Sequence, residues 1–333
     1  MRKLASVQVI EEVNKHPNAD ALDIVKVLGW RCVAKLGEFK VGDKVIYCEV
    51  DSVLPEKPEF EFLRPKKFRI KTIRLRQEIS QGICFPMSFL PEGNYEIDQD
   101  VTELLGVVKY EIPEPQHNPN SVGGCPKGNF PGFLQKTDET RIQSCFKKLE
   151  PYINECVMYG MEKIDGSSVT FYVRDGEFGC CSRNLELKED EKNVIWRMAK
   201  KYNLKEKMLA FNQNLALQGE LIGPGIQGNK YKLKEPEVRF FSLFDINKFS
   251  YLGFHDWLEL CTEFEIPIVP VLFYDKILKL DVDGLVKLSQ GPSELNKDIP
   301  REGIVIRSML ATEVPHFGYL SFKVINPEFE IKY

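Results

Sequence analysis

Histidine is scarce in this chain. There are four in 333 residues, His16, His117, His255 and His316, and they are widely spaced. A histidine-built zinc or iron centre is therefore not expected. No CxxC pair occurs, and the nine cysteines, an odd number, give no disulfide framework. They read as mostly buried thiols in a reducing compartment. Cys180 and Cys181 are the one adjacent pair, and two sequential residues make a poor metal cage. No stretch approaches the roughly 20 apolar residues that a membrane span needs. Arg2 and Lys3 are not followed by a long apolar run, so no signal peptide is expected. A βαβ rhythm is missing, and with it the context of a dinucleotide-binding fingerprint; so are an internal repeat and a low-complexity tail. These absences point to an intracellular protein with no membrane partner, cytoplasmic or, in a eukaryote, nuclear. Charge of one sign is not in excess either: 45 Lys+Arg against 49 Asp+Glu leaves −4. That argues against a basic coat protein and leaves room for a local nucleic-acid groove.

What is present is an ordinary globular composition, 43% hydrophobic and 28% charged, in a chain long enough for about two domains. Residues 1–110 read as short strands: Leu4 to Ile10, Asp23 to Ala34, Lys44 to Val50, Phe68 to Leu75 and Gly82 to Phe85. Glycine turns at Gly37 and Gly42 separate the second from the third. About five strands suit a small barrel, OB-like or SH3-like. Residues 111–131 collect Pro, Gly and Asn and read as a connector. Residues 132–333 form the second domain, an α+β mixture. Strands are expected at Ser168 to Val173 and Phe240 to Phe244. Helix is expected over Glu189 to Asn212, broken near Tyr202 to Leu204, and again from about Asp256.

The most informative stretch is Glu162-Lys163-Ile164-Asp165-Gly166-Ser167-Ser168. In an extended chain Lys163 and Asp165 share a face. Gly166 permits a tight turn and close backbone approach to a ligand. A lysine held there could act as a covalent nucleophile if its amine were neutral when it attacks. KxDG alone is a weak signal, and a surface lysine before a turn is the plain alternative.

Further segments follow in order. They are Ser182-Arg183-Asn184, Gly219-Glu220-Leu221-Ile222-Gly223-Pro224-Gly225-Ile226-Gln227 and Arg239-Phe240-Phe241-Ser242-Leu243-Phe244-Asp245-Ile246. Arg301-Glu302-Gly303-Ile304-Val305-Ile306-Arg307 and Ser321-Phe322-Lys323-Val324-Ile325-Asn326 complete the set. With Lys163 they resemble the six motifs of the covalent nucleotidyltransferases, the ATP-dependent DNA and RNA ligases and mRNA capping enzymes. The whole chain is most similar to ATP-dependent RNA ligases of the Deinococcus/Naegleria type. That likeness implies an N-terminal OB-like barrel followed by an ATP-grasp-like nucleotidyltransferase domain of antiparallel sheets and helices.

The resemblance also implies roles. Lys163 would attack the α-phosphate of ATP and carry AMP. Arg183 would meet the nucleotide or the 5′-phosphate, Glu220 the ribose hydroxyls or a metal-bound water, and Phe241 the adenine. Glu302 would hold Mg²⁺ or Mn²⁺, with Glu220 as a second candidate, and Asp165 would assist through Lys163 or a metal water. Lys323 would contact the α-phosphate. The commoner K-x-K pair is broken here by Ile325, so Lys323 would act alone or with Arg301 or Arg307. The segment Lys136 to Gln143 is expected to open a helix capped by Thr137 or Asp138, with Arg141 lining the nucleotide site. No OB-like segment follows Lys323, which favours the RNA branch over DNA ligases and capping enzymes.

Arg64 to Arg76 holds seven basic residues and no acid. As a strand it would present Arg69, Lys71, Arg74 and Arg76 to nucleic-acid phosphates, or serve as a charged edge. The expected substrate is RNA with 3′-OH and 5′-phosphate ends, at nicks in duplexes, without an obligate protein partner. A DNA ligase, a guanylyltransferase and a non-catalytic RNA-binding protein are the alternatives.

Overall fold

The computed structural model describes residues 3–110 and 124–333. They cluster into two compact units. One holds residues 3–110 with Ile142–Phe146 and Glu330–Tyr333, and the other holds residues 124–141 with Lys147–Phe329.

In the first unit Lys44–Cys48 is the central strand, antiparallel to Ala5–Val9 on one side and Ile83–Pro86 on the other. Side chains alternate along a strand, so its two faces enter two cores. Val45 and Tyr47 pack with Val25, Val27, Trp30 and Cys32. Ile46 and Cys48 pack with Leu4, Ala5, Val7, Phe60 and Phe85. Burial on both faces is why Val45-Ile46-Tyr47-Cys48 reads as an unbroken apolar run.

Two expected strands take a different form. Asp23 to Ala34 is two strands, Leu22–Val27 and Trp30–Lys35, because Leu28 is left-handed (φ 54°) and turns the chain back on itself. Glu12–Lys15 completes that meander. Phe68 to Leu75 is mostly irregular. The 3-10 segment Pro58–Lys66 ends in left-handed Lys67 and Phe68 (φ 52° and 58°), and only Ile73–Leu75 joins a ladder, with Glu78–Ser80.

In the second unit, among the described residues, a seven-stranded antiparallel sheet runs Pro126–Asn129, Leu185–Leu187, Glu177–Cys181, Ser167–Arg174, Leu215–Ile222, Glu237–Asp245, Ser250–Tyr251. A four-stranded antiparallel sheet runs Val271–Lys276, Met158–Lys163, Gly303–Ser308, Ser321–Ile325. Both feed one apolar core: Tyr159 and Met161 from the smaller sheet meet Val169, Phe171, Leu217, Leu221 and Phe240 from the larger. Residues 111–123 of the expected connector, including His117, lie outside the described residues. Pro126–Asn129, within the same stretch, is an edge strand paired with Leu185–Leu187.

The break near Tyr202 has a local cause. Asn193 Oδ1 accepts from the amides of Ile195 (2.9 Å) and Trp196 (3.3 Å) and starts the helix Val194–Lys201. Left-handed Asn203 (φ 52°) ends that direction, and Leu204–Phe211 begins a second helix. The helix expected from Asp256 spans Phe254–Glu263, and Asp256 caps it by accepting from Gly253 N–H at 3.1 Å. All nine cysteines are free thiols, and seven of them are buried. Among the described residues no helix is long and apolar enough to cross a membrane.

Candidate active site

Lys163 is the last residue of the strand Met158–Lys163 and stands opposite Gly303. Gly303 in turn stands opposite Ile325. Opposed residues of antiparallel strands share a face, so Lys163, Gly303 and Ile325 line one side of the smaller sheet. A Cβ on Gly303 would lie 2.2 Å from Val324 O, so only glycine lets the strands close there. Glu302, one residue earlier, reaches Lys163: Nζ donates to Oε1 at 2.6 Å. The second oxygen, Oε2, is buried with no hydrogen-bond partner.

Between Lys163 and Ser167 the chain crosses from the smaller sheet to the larger. Gly166 makes the crossing, since a Cβ there would lie 2.4 Å from Leu221 O. Its N–H donates to Glu220 Oε1 at 3.1 Å, and Glu220 stands opposite Ser168 in the ladder. Asp165 N–H donates to Tyr231 Oη at 2.8 Å, and its carboxylate pairs with Lys230.

Lys163 thus stands in the field of three carboxylates. Burial pushes Glu220 up to about 8; the negative charges of Glu302 and Asp165 add to that, and Lys163 opposes it. Burial also raises Glu302, against the pull of Lys163 and Lys323. For Lys163 burial works against the charge, but Glu302, Glu220 and Asp165 together outweigh it, and its pKa lies above the ordinary lysine value. The resting nucleophile candidate is therefore an ammonium, and attack needs that proton removed or the carboxylate field neutralised.

The donor set fits a divalent cation. Carboxylates crowd one place, and Glu302 keeps an unused buried oxygen. Among the described residues no group of three or more His, Cys, Asp or Glu side chains stands assembled for a metal. Such an ion would therefore complete its shell with water and phosphate.

Phe241 owes its placement to a bulge. Gln218 pairs with Ser242 and Gly219 with Phe240, which leaves Phe241 as the extra residue. Phe240 is buried in the core, while Phe241 is half-buried and packs against that core from outside. Lys323 stands opposite Val305 and shares the Lys163 face of the sheet. Arg307, offered above as a partner for Lys323, is engaged elsewhere: its guanidinium is held by Glu139, Ser321 and the carbonyl of Phe241. Arg301 lies against Gly291 and acts on Glu162, whose side chain faces away from Lys163.

The segment before the Lys163 strand corrects the expected cap. Thr137 Oγ1 bonds Ser168 Oγ (2.6 Å), and Asp138 pairs with exposed Arg183 (2.8 Å). With those side chains committed to tertiary partners, the helix starts only at Ile142, with no side-chain cap. Arg141 is buried and bridges in parallel to Lys323. Arg183 contacts Asp138 rather than the Lys163 cluster.

The basic stretch of the first unit divides. Lys71, Arg74 and Arg76 are exposed on or beside the hairpin Ile73–Ser80. Arg69 is not presented as expected. It pairs with Asp51 at 2.6 Å and lies 3.6 Å from the Tyr110 ring centroid. Phe68 is left-handed, so Arg69 does not continue the strand in which it would have alternated outward.

The sequence model of the RNA ligase family matches residues 158–325, from the start of the Lys163 strand to the end of the Lys323 strand. The chain belongs to the RNA ligase family. An OB-fold domain model matches residues 4–87, which makes the first unit an OB-type barrel rather than an SH3-like one. No curated protein sequence matches the chain. Solved structures do. A Naegleria gruberi RNA ligase variant with AMP and Mn is 35% identical, with a TM-score of 0.91 over 100% of this chain and 99% of that one. A variant of the same enzyme with ATP and Mn is 35% identical, with a TM-score of 0.90 and 99% of each chain covered. The same ligase with PPi is 35% identical, with a TM-score of 0.88 over 99% and 98%. This RNA ligase family member therefore has an N-terminal OB barrel followed by a mixed α/β nucleotidyltransferase domain.

Lys230, Tyr231 and Glu139 were missed in the sequence. Lys230 and Asp165 are 65 residues apart, and Glu139 and Arg307 are 168 apart. Each pairing is made by the tertiary fold, and no local pattern announces it.

Proposed function

We propose that this protein is an ATP-dependent RNA ligase joining 3′-OH and 5′-phosphate ends, with nicks in duplex RNA as its substrate and no obligate protein partner. The observation that carries the reading is the Lys163–Glu302 contact inside a carboxylate cluster at the junction of two sheets. An amine there has the acceptor for its proton at 2.6 Å. Lys163 attacks the α-phosphate of ATP, a phosphoramidate bond to AMP forms and pyrophosphate leaves. AMP then passes to the RNA 5′-phosphate, the 3′-hydroxyl attacks that activated end, and AMP is released.

The other residues orient and offset charge. Phe241 stacks on adenine, Glu220 holds the ribose hydroxyls, and Lys323, with buried Arg141 beside it, faces the phosphates. Asp165, tied to Lys230 and Tyr231, fixes the turn that follows the nucleophile. Arg183 meets the 5′-phosphate end with a bidentate grip. Glu302 and Glu220 would hold Mg²⁺ or Mn²⁺, and the ion supplies positive charge that lowers the lysine pKa and neutralises phosphate. The binding of ATP or AMP with Mn by the Naegleria gruberi enzyme supports this assignment. Residues 1–110 bind nucleic acid, with Lys71, Arg74 and Arg76 on phosphates, and residues 132–333 carry adenylylation.

The test is incubation of the protein with α-radiolabelled ATP and Mg²⁺ or Mn²⁺, with GTP and NAD⁺ in parallel. A labelled band from ATP that survives denaturation, lost in Lys163→Met, is expected. Label from GTP alone would indicate a guanylyltransferase, and no label from folded protein a binding protein. Sealing of nicked DNA in preference to RNA would overturn the substrate.

A further inference from the structure

Glu139 belongs to no motif, yet it sits where three site-bearing strands meet. Its Oε1 accepts from Arg307 Nη2 at 2.8 Å and Nε at 3.3 Å, and from Ser321 Oγ at 2.7 Å. Arg307 Nη1 donates to the carbonyl of Phe241 at 2.7 Å. Next to Glu139, the carbonyl of Thr140 accepts from Lys323 N–H at 2.9 Å. Arg307 is 3% exposed, and the rings of Phe241, Tyr251 and Tyr319 surround its guanidinium at 5.5, 5.9 and 6.0 Å.

A bulged residue has no ladder bond of its own to set where its side chain points. Phe241 is that residue, and a side-chain donor to its carbonyl comes from the other sheet. A guanidinium can serve here because its fork reaches two acceptors in fixed geometry, which an ammonium does not. The same carboxylate that orients the guanidinium holds the first residue of the Lys323 strand. The segment carrying it holds that strand's backbone.

We propose that Glu139 and Arg307 are a positioning pair that sets the distance between the adenine-facing Phe241 and the phosphate-facing Lys323, so that the two ends of ATP are gripped as one unit. This rests on the roles given to Phe241 and Lys323 above. Neither Glu139 nor Arg307 touches ATP. They act through the bulge and the strand.

Removing one charge of a buried pair leaves the other uncompensated, so Glu139→Gln or Arg307→Met alone is expected to destabilise the protein. Replacing both by apolar residues of similar volume is often neutral for stability. The informative variant is therefore Glu139→Leu with Arg307→Met, assayed by single-turnover labelling from ATP beside wild type and followed by thermal melting. The expected result is a melting temperature near wild type, a KM for ATP raised about tenfold and a maximal labelling rate changed less than about threefold. Ser321→Ala, which removes one donor to Glu139 and is nearly isosteric, should raise KM about two- to threefold and gives the readout if the double variant does not fold. Unchanged KM in folded Ser321→Ala and in the folded double variant would overturn the proposal. Failure of wild type to label from ATP would instead overturn the ligase reading, so the two failures are distinct.

Discussion

Lys163 Nζ lies 2.6 Å from Glu302 Oε1, and the two residues sit at opposed ends of neighbouring strands. Register brings the two residues close: Lys163 ends one strand where Gly303 begins the next, and Glu302, the residue before Gly303, lies outside the strand and is free of its alternation. The two side chains are thus brought within reach by strand pairing. Lys163→Met should abolish label transfer from ATP while the protein still binds ATP, measured by equilibrium binding beside the labelling gel.

Glu220 gives a pH dependence to the ligand-free protein. Its folded pKa, about 8, lies above the ordinary value of 4.5. The folded state therefore holds a proton that the unfolded state has released, and stability falls as pH rises from about 4.5 to 8. Lys163, raised above the ordinary lysine value, stays charged across that window and supplies none of the slope. Melting temperature should be lower at pH 8.5 than at pH 6.5, and Glu220→Gln, which still accepts from Gly166 N–H, should flatten the difference. A wild-type melting temperature that rises across this range would refute the assignment.

Arg69 and Lys71 should separate cleanly. Arg69→Ala removes the Asp51 pair and the contact with Tyr110, so it should lower stability by about 1 kcal/mol and leave the salt dependence of RNA binding unchanged. Lys71→Glu with Arg74→Glu should weaken RNA binding and reduce its salt slope by about 2, with labelling from ATP intact. Filter binding across a salt series, with melting curves, decides between them.

Gly166→Ala should be destabilising whether or not ATP is bound, because its Cβ would lie 2.4 Å from Leu221 O, a backbone atom that cannot swing away. Overpacking of this kind costs about 1–3 kcal/mol. Denaturant titration should show an earlier midpoint with an unchanged slope.

The order of the motifs was legible in the amino-acid sequence through their resemblance to those of the nucleotidyltransferases. KIDG, GEL, REG and SFK are short local patterns; KIDG and REG put Lys163 and Gly303 at strand ends, while GEL and SFK put Glu220 and Lys323 inside strands. Strands buried on both faces, such as Val45-Ile46-Tyr47-Cys48, were legible as local patterns too. Reading failed where a local pattern was overridden at a distance. Left-handed Lys67 and Phe68 displaced Arg69 from the strand its alternation suggested, and a tertiary partner took Asp138 from its cap.

Sequence by itself determined which groups could do chemistry, because pairing of a residue type with its immediate neighbours is a short-range property. Only the tertiary structure decided how those groups act together. The cluster of Lys163 with Glu302, Glu220 and Asp165, the tether of Asp165 to Lys230, and the hold of Glu139 on Arg307 each join segments 54 to 168 residues apart. Such fields and contacts exist only once strand register has closed both sheets, since charge interactions fall off within a few ångströms in water and persist in a buried site.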